Sequence, residues 1–133
     1  GLVFAGGNAA WLGKKNVDGV LGGVLTAKDI ANLDFKGTDL LVLSACKTGQ
    51  GKVTAEGVFG LQRAFKKAGV GTIIMSLWNV DDKVTSEFMV AFYEQLTDKA
   101  NNWNKRKAFE QTKEIIRKKH PDPYYWAAFV MLD

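Results

Sequence analysis

Two continuous apolar runs constrain the fold of this chain more than any other feature. Residues 39–45 read Asp-Leu-Leu-Val-Leu-Ser-Ala, and residues 72–77 read Thr-Ile-Ile-Met-Ser-Leu. Neither run alternates regularly between apolar and polar residues, and such runs are typical of strands that are covered on both faces, as in a parallel sheet. We therefore predict two buried strands at the centre of a sheet.

Segments with helical periodicity separate and follow these runs. A helix is predicted from Thr54 or Ala55 to Gly69, a second over residues 83–96 and a third over residues 104–119. Their predicted core faces are Val58, Leu61, Phe65 and Ala68; Val84, Phe88, Phe92 and Leu96; and Ala108, Phe109, Thr112, Ile115 and Ile116. Strands that alternate with helices over short connections predict an α/β fold, with a mostly parallel sheet flanked by helices on both faces.

Shorter elements are predicted towards the two ends of the chain. Strand pieces are expected at residues 2–5 and 20–24. Thr26 has the pattern of a helix N-cap, because Asp29 follows it by three residues, and Ile30 and Leu33 are expected to face inward. A break at Pro121-Asp122-Pro123 precedes residues 125–132, which are predicted to form a final strand.

Composition excludes several classes of function. The chain has 133 residues, one cysteine, one histidine and a net charge of +4. These residues cannot form an internal disulfide or a zinc site, and we expect no metal and no cofactor. The basic residues form no dense stripe with aromatics, and no apolar stretch spans a bilayer, so we expect neither nucleic-acid nor membrane binding. Residues 1–6 have no initiator Met and lack the basic region that opens a signal peptide. We therefore expect a piece of a longer cytoplasmic protein.

Cys46 stands directly after the first apolar run. A lone cysteine is most often a buried, inert side chain. In parallel sheets, however, catalytic groups gather beyond the carboxyl ends of the strands, which selects residues 46–52 and 78–82. The small residues after Cys46 predict a turn that exposes the thiol and leaves backbone N–H groups free to bind an oxyanion. Cys46 is therefore the candidate nucleophile, and a thiol nucleophile also needs a base.

The one histidine, His120, lies in a basic stretch immediately before Pro121. We predict a solvated residue at a helix end in preference to the base that Cys46 needs, although a fold could bring it closer.

A phosphate-binding loop is an alternative interpretation of residues 46–53. Gly51 and Lys52 fit the Gly-x-x-x-x-Gly-Lys-Ser/Thr pattern. Cys46 occupies the first glycine position and Val53 occupies the hydroxyl position, so two of the requirements fail. A nucleotide-binding function is thus disfavoured.

Residues 78–82, Trp-Asn-Val-Asp-Asp, form the second candidate segment. We predict that Asp81 or Asp82 caps the following helix and that Trp78 packs over the sheet edge. A remaining carboxylate is then available to face a pocket and favour a basic substrate side chain. Tyr124, Tyr125 and Trp126 are interpreted as ordinary packing and strand residues.

Several ordered motifs together resemble one known family. Residues 41–49, 56–61, 75–82 and 124–130 are similar, in that order, to the CHAT domain, a caspase-like peptidase domain often found behind TPR repeats. The resemblance implies a caspase/separase-type cysteine endopeptidase, in which Cys46 is the nucleophile and its backbone N–H binds the oxyanion. The family's base is a His in a His-Gly pair on an earlier strand, and no residue here matches it. Residues 1–133 are therefore expected to be the C-terminal portion of one CHAT domain, incomplete at the N-terminal side and inactive alone.

The resemblance also implies a substrate preference and partners. Residues 78–82 are similar to a separase loop whose last aspartate helps to select arginine before the scissile bond. Asp82 matches that aspartate, with Trp78 beside it, while Asp81 departs from the pattern. The expected partners are a protein or peptide substrate, TPR repeats of the same parent protein, and a second copy paired through an open sheet edge. The alternative is a non-catalytic interaction module, or pseudopeptidase.

Overall fold

A computed structural model describes residues 2–4, 23–44 and 55–133 of the chain. The strands are β1 (Leu2–Val3), β2 (Val24–Leu25), β3 (Leu40–Leu43), β4 (Thr72–Ser76) and β5 (Phe129–Leu132). The helices are α1 (Ala27–Ile30), α2 (Ala55–Lys67), α3 (Asp82–Thr97), α4 (Lys105–Lys119) and α5 (Pro123–Trp126), with a 3₁₀ turn at Lys99–Asn101. The chain divides into two compact units. The first comprises Gly1–Leu41 and Lys47–Gly71, and the second comprises Val42–Cys46 and Thr72–Asp133.

In the first unit, β1 and β2 form an antiparallel ribbon that leads into α1. Leu2 pairs with Leu25. The predicted cap of α1 is confirmed: Asp29 N donates to Thr26 Oγ1 over 3.2 Å, and Thr26 N donates to Asp29 Oδ2 over 2.9 Å. Ile30 is fully buried, as predicted, whereas Leu33 is 45% exposed. The inward prediction for Leu33 is wrong because the helix ends at Ile30 and Leu33 lies beyond it.

Helix α2 packs against α1 in the same unit. Its predicted core residues Leu61, Phe65 and Ala68 are buried, and the Phe65 ring meets Phe35 edge to face at 5.4 Å. The side chain of Val58, predicted on the same face, lies outside the described residues. Gly69 ends the helix with φ +108°, a conformation that side-chain-bearing residues rarely adopt.

β3, β4 and β5 form a sheet in that order. All residues of β4 are buried, as predicted for residues 72–77, whereas the residues of β3, at the end of the described strand order, are only half-buried, so the prediction of a buried strand is wrong there. β5 runs antiparallel to β4, with Ser76 opposite Phe129. The predicted α/β class is confirmed, and an antiparallel strand at the edge is common in sheets of this class.

Helices α3 and α4 pack on each other and supply aromatic side chains to the core. Phe88 stacks on Phe129, with centroids 3.9 Å apart, and meets Phe109 edge to face at 5.7 Å. The predicted core face of α3 is buried throughout, as is that of α4 except for Ile115, which is 41% exposed. The prediction for Ile115 is wrong because its neighbour Ile116 is the one that points into the core.

The chain after Pro121 differs from the predicted strand over residues 125–132. Asp122 caps α5, since Tyr124 N donates to its Oδ1 over 2.9 Å, and Pro123 occupies the first turn. The strand begins only at Phe129. An aspartate cap followed by proline is a strong local signal for a helix start, and it overrides the strand preference of the aromatic residues.

Within the described ranges, no helix is both long enough and apolar enough to cross a membrane.

Candidate functional site

The candidate nucleophile Cys46 and the segment 46–52 lie outside the described residues. What the structure describes is the strand that leads to them: β3 ends at Leu43, and the exposed Ser44 follows. β3 is the sheet neighbour of β4, the strand that leads to the second candidate segment. The assignment of Cys46 as nucleophile, and of its N–H as oxyanion donor, remains a prediction.

Asp81 is the N-cap of α3, which confirms that one aspartate of the pair serves the helix. Its Oδ1 accepts from Lys83 N at 2.9 Å and from Val84 N at 3.4 Å. Its backbone carbonyl accepts from Thr85 N at 2.9 Å. These bonds satisfy donors that are otherwise orphaned at a helix start, so Asp81 is committed to the fold.

Asp82 is the first residue of α3 and is exposed. Among the described residues, its carboxylate has neither a hydrogen bond nor an ion pair. A negative charge in the first turn of a helix is favourable because the backbone N–H groups point towards it. The two adjacent carboxylates therefore differ. That of Asp81 is engaged in capping α3, and that of Asp82 has no partner among the described residues.

Trp78 is held by Tyr124 rather than by the sheet edge alone. The indole Nε1 donates to the Tyr124 carbonyl over 2.9 Å, and the two rings lie 6.3 Å apart. In return, Tyr124 Oη donates to the Asn79 carbonyl over 2.6 Å. At the start of the loop, Leu77 N donates to the Ala128 carbonyl over 2.9 Å. These hydrogen bonds connect residues 77–79 to α5 and to the residues that follow it.

Sequence reasoning missed Tyr124, which it treated as an ordinary strand residue. The partners of Tyr124 are separated from it by 45 and 46 positions along the chain, and no local periodicity connects residues so far apart. The usable signal was the Asp122-Pro123 pair, which predicts a helix start and would have placed Tyr124 in a helix.

His120 differs from its predicted solvated state. It ends α4, and its side chain is only 24% exposed. Its Nε2 lies 2.8 Å from Glu87 Oε2, and its ring lies 5.4 Å from that of Tyr125. Glu87 and Tyr125 enclose the imidazole between α3 and α5, so this histidine has a structural partner already.

Glu87 has two cationic or hydrogen-bonding neighbours. The hydrogen bond with His120, and then the contact with Lys119 Nζ at 3.1 Å, hold the pKa of the Glu87 carboxyl below its usual value. Both neighbours favour the ionised carboxylate. The cluster thus joins the middle of α3 to the end of α4.

Several basic residues of α4 also make contacts within the chain. Arg106 pairs with Asp133, and Arg117 pairs with Glu114. Lys113 Nζ donates to the Phe129 carbonyl over 3.2 Å and lies 5.7 Å from the Trp126 ring centroid. Burial lowers the pKa of Lys113, since it disfavours the charged ammonium. These side chains serve the packing of α4 against its neighbours.

The sequence comparisons define the class of protein that this fold and these motifs represent. The model of the CHAT domain family matches residues 1–133. The chain belongs to the CHAT domain family.

Among curated proteins, the chain is similar to tetratricopeptide repeat protein 28 of Homo sapiens, with 32% identity, and of Mus musculus, with 31% identity. Each match extends over 111 residues, which cover 82% of this chain. The match spans only 4% of the length of either relative. No solved structure matches the chain.

Proposed function

We propose that the domain to which this chain belongs is a cysteine endopeptidase of the caspase/separase type, with Cys46 as its nucleophile. The observation that carries the proposal is membership of the CHAT family over the whole chain. The role of Cys46 is what the resemblance of residues 41–49 to that family implies. The order of the sheet supports it, because β3 and β4, the strands that precede the two candidate segments, are neighbours.

The chemistry requires a base that this chain does not supply. In the intact domain, a histidine outside residues 1–133 takes the proton of Cys46, and the thiolate attacks the carbonyl carbon of the scissile peptide bond. The oxyanion is bound by the Cys46 N–H. The leaving amine takes the proton from the imidazolium, and water then hydrolyses the thioester and frees Cys46. His120 is not the proposed base, because Pro121 follows it where the family's base is followed by Gly; its imidazole contacts Glu87.

A basic residue before the scissile bond is the proposed substrate feature. The exposed carboxylate of Asp82 is free of partners among the described residues, whereas that of Asp81 caps α3. A guanidinium or ammonium group next to Asp82 would form a charge-assisted pair. Trp78 lies at the start of the same loop, and its ring offers an apolar surface to the stem of that side chain.

The test uses the parent protein and fluorogenic peptides that carry Arg, Lys or Leu before the scissile bond. Cys46→Ala should abolish cleavage, and Ser44→Ala, a change at the exposed position after β3, should leave it intact. Asp82→Asn should reduce cleavage of Arg and Lys peptides but not of Leu peptides. Glu94→Gln removes an exposed carboxylate from the same helix and serves as the charge control. Cleavage that survives Cys46→Ala would refute the proposal.

A second candidate is a non-catalytic interaction module of a TPR-containing protein. Val90, on the outer face of α3, is 56% exposed, and Ile115 borders a groove of about 410 Å³ with Gln95 and Gln111. The relatives' name refers to tetratricopeptide repeats. If Val90→Asp abolished binding of the domain to the TPR region of its parent, and the domain cleaved nothing, this function would replace the first.

Self-association through an open sheet edge is a separate prediction. The edge concerned is the one that the family's earlier, histidine-bearing strand would occupy in a complete domain, because an unpaired edge favours pairing with another chain. Light scattering over a range of concentrations tests it, and a monomer at high concentration contradicts it.

A further inference from the structure

We propose that Tyr124 is a positioning residue, which holds the loop of residues 78–82 (the 78–82 loop) in the shape that presents Asp82 to a basic substrate side chain. This role rests on the peptidase function proposed above. It assigns a part in substrate selection to a residue that does not itself touch the substrate.

The contacts between Tyr124 and the loop run in both directions. The hydroxyl of Tyr124 donates to the carbonyl of Asn79 over 2.6 Å, and the carbonyl of Tyr124 accepts from the indole of Trp78 over 2.9 Å. Two consecutive loop residues are therefore bonded to one tyrosine, through its side chain and through its backbone. Such a pair of bonds fixes both the distance and the rotation of the loop relative to α5.

Tyr124 is itself firmly placed. Its backbone N–H donates to Asp122 Oδ1 over 2.9 Å, and Ala127 N donates to the Pro123 carbonyl over 2.9 Å. Pro123 fixes one backbone dihedral at the start of α5. Behind the helix, the chain continues into β5, which is paired with β4. Through α5 and β5, Tyr124 therefore holds the loop in a fixed position relative to the sheet.

The loop is fixed at both ends, and its centre is held by the buried Val80 and by the contact of Asn79 with Tyr124. Leu77 N donates to the Ala128 carbonyl before the loop, and the Asp81 cap fixes the start of α3 after it. Between these points, Val80 is buried and the Asn79 carbonyl is bonded to Tyr124. Asp82 follows this stretch directly. Loss of the Asn79 contact should therefore make residues 79–81 more mobile and the position of the Asp82 carboxylate less well defined.

Tyr124→Phe removes the hydroxyl and keeps the ring that packs on Trp78. The matched control is Tyr93→Phe, since Tyr93 is 48% exposed on α3 and its hydroxyl has no hydrogen bond among the described residues. The N–H groups of Lys83, Val84 and Thr85 donate to Asp81 at the end of the loop. Their hydrogen exchange in this chain should be roughly three- to tenfold faster in Tyr124→Phe, as expected for a loop that has lost one hydrogen bond, and unchanged in Tyr93→Phe.

Steady-state kinetics of the parent protein test the consequence for substrates. With a peptide that carries Arg before the scissile bond, Tyr124→Phe should raise KM roughly three- to tenfold and change kcat by less than about twofold. With the matched Leu peptide, kcat/KM should stay at the wild-type value. A merely structural defect would lower activity on both peptides together, and the Tyr93→Phe control should behave as wild type with both.

The outcomes separate this proposal from the function on which it rests. Unchanged exchange in Tyr124→Phe overturns the proposal whether or not the parent is active. Faster exchange with equal effects on the Arg and Leu peptides overturns the part in substrate selection. If wild-type parent cleaves neither peptide, the peptidase function fails and substrate positioning fails with it, while faster exchange would then show only a structural support of the loop.

Discussion

His120 and Glu87 are joined across the gap between α4 and α3, with Nε2 and Oε2 2.8 Å apart. Their contact connects the C-terminal end of one helix to the middle of the other, and Lys119 adds a second contact to the same carboxylate. The three residues form a polar connection beside an otherwise aromatic core.

This cluster predicts a pH dependence of stability. The folded-state pKa of Glu87 lies below its ordinary value of 4.5, so its contribution to the free energy of unfolding is fully present above that value and is lost as pH falls through the folded-state pKa. Glu87→Gln should therefore be less stable than wild type above about pH 5, and the difference should shrink at lower pH. Urea titrations at a series of pH values measure it. Glu94→Gln should give a curve parallel to wild type, and a parallel curve for Glu87→Gln would contradict the prediction.

The face-to-face stack of Phe88 and Phe129 predicts a large loss of stability when one of the two side chains is truncated. Both residues are fully buried, and their centroids are 3.9 Å apart. Phe88→Ala should reduce the free energy of unfolding by about 3–5 kcal/mol, the range for an aromatic side chain deleted from a core. Val90→Ala, at an exposed position two residues away on α3, should change it by less than about 0.5 kcal/mol. Similar losses in the two variants would show that the stack is not a stabilising feature.

The helices of this fold follow from local sequence, and this explains which predictions were confirmed. The spacing of Phe88 and Phe92 on α3, and the Thr26 and Asp29 pair at α1, each lie within a few positions of one another. Local periodicity and capping chemistry suffice to place such elements. The error over residues 125–132 has the same origin, because the cap at Asp122 was a local signal that outweighed the β propensity of the residues after it.

The candidate site was less accessible to sequence reasoning. The capping role of Asp81 could be predicted, since it depends on the residues that immediately follow. The bond from Tyr124 to Asn79 and the enclosure of His120 by Glu87 and Tyr125 could not, because each joins residues from different elements. The packing of those elements is a property of the folded chain.

The capping box of α1 predicts a moderate, side-chain-specific effect. Thr26 is exposed, so its substitution changes the cap and little else. Thr26→Ala should lower the free energy of unfolding by about 1 kcal/mol, because Asp29 N loses its acceptor. Thr26→Ser keeps the hydroxyl and should lie close to wild type. Denaturant titration of the three proteins decides, and equal losses for Ala and Ser would exclude the hydroxyl as the cause.

Two glycines associated with α2 should respond with opposite signs to the same substitution. Gly69 has φ +108°, and a Cβ there would lie 3.0 Å from Lys36 N, so Gly69→Ala should destabilise the chain by about 1–3 kcal/mol. Gly60 lies within the helix, where a Cβ would meet nothing within 4 Å. Gly60→Ala should stabilise by about 0.5–1 kcal/mol. Thermal unfolding compares the two variants, and a shared sign would contradict the conformational argument.

The reactivity of the Cys46 thiol tests the proposal that the nucleophile lies within residues 1–133 and its histidine base outside them. The proposed base of Cys46 lies outside residues 1–133, and an ordinary thiol has a pKa of about 8.5. The rate of alkylation by iodoacetamide should rise with pH through that value, with Cys46→Ala as the unlabelled control.

In the parent protein, an imidazolium beside the thiolate should lower the thiol pKa and keep alkylation fast below about pH 7. Peptide cleavage should accompany this shift, because the thiolate and the base that forms it arise together. A 133-residue chain that is alkylated at a pH-independent rate below about pH 7, or that cleaves a basic peptide in a Cys46-dependent manner, would show that a residue within the chain already activates the thiol.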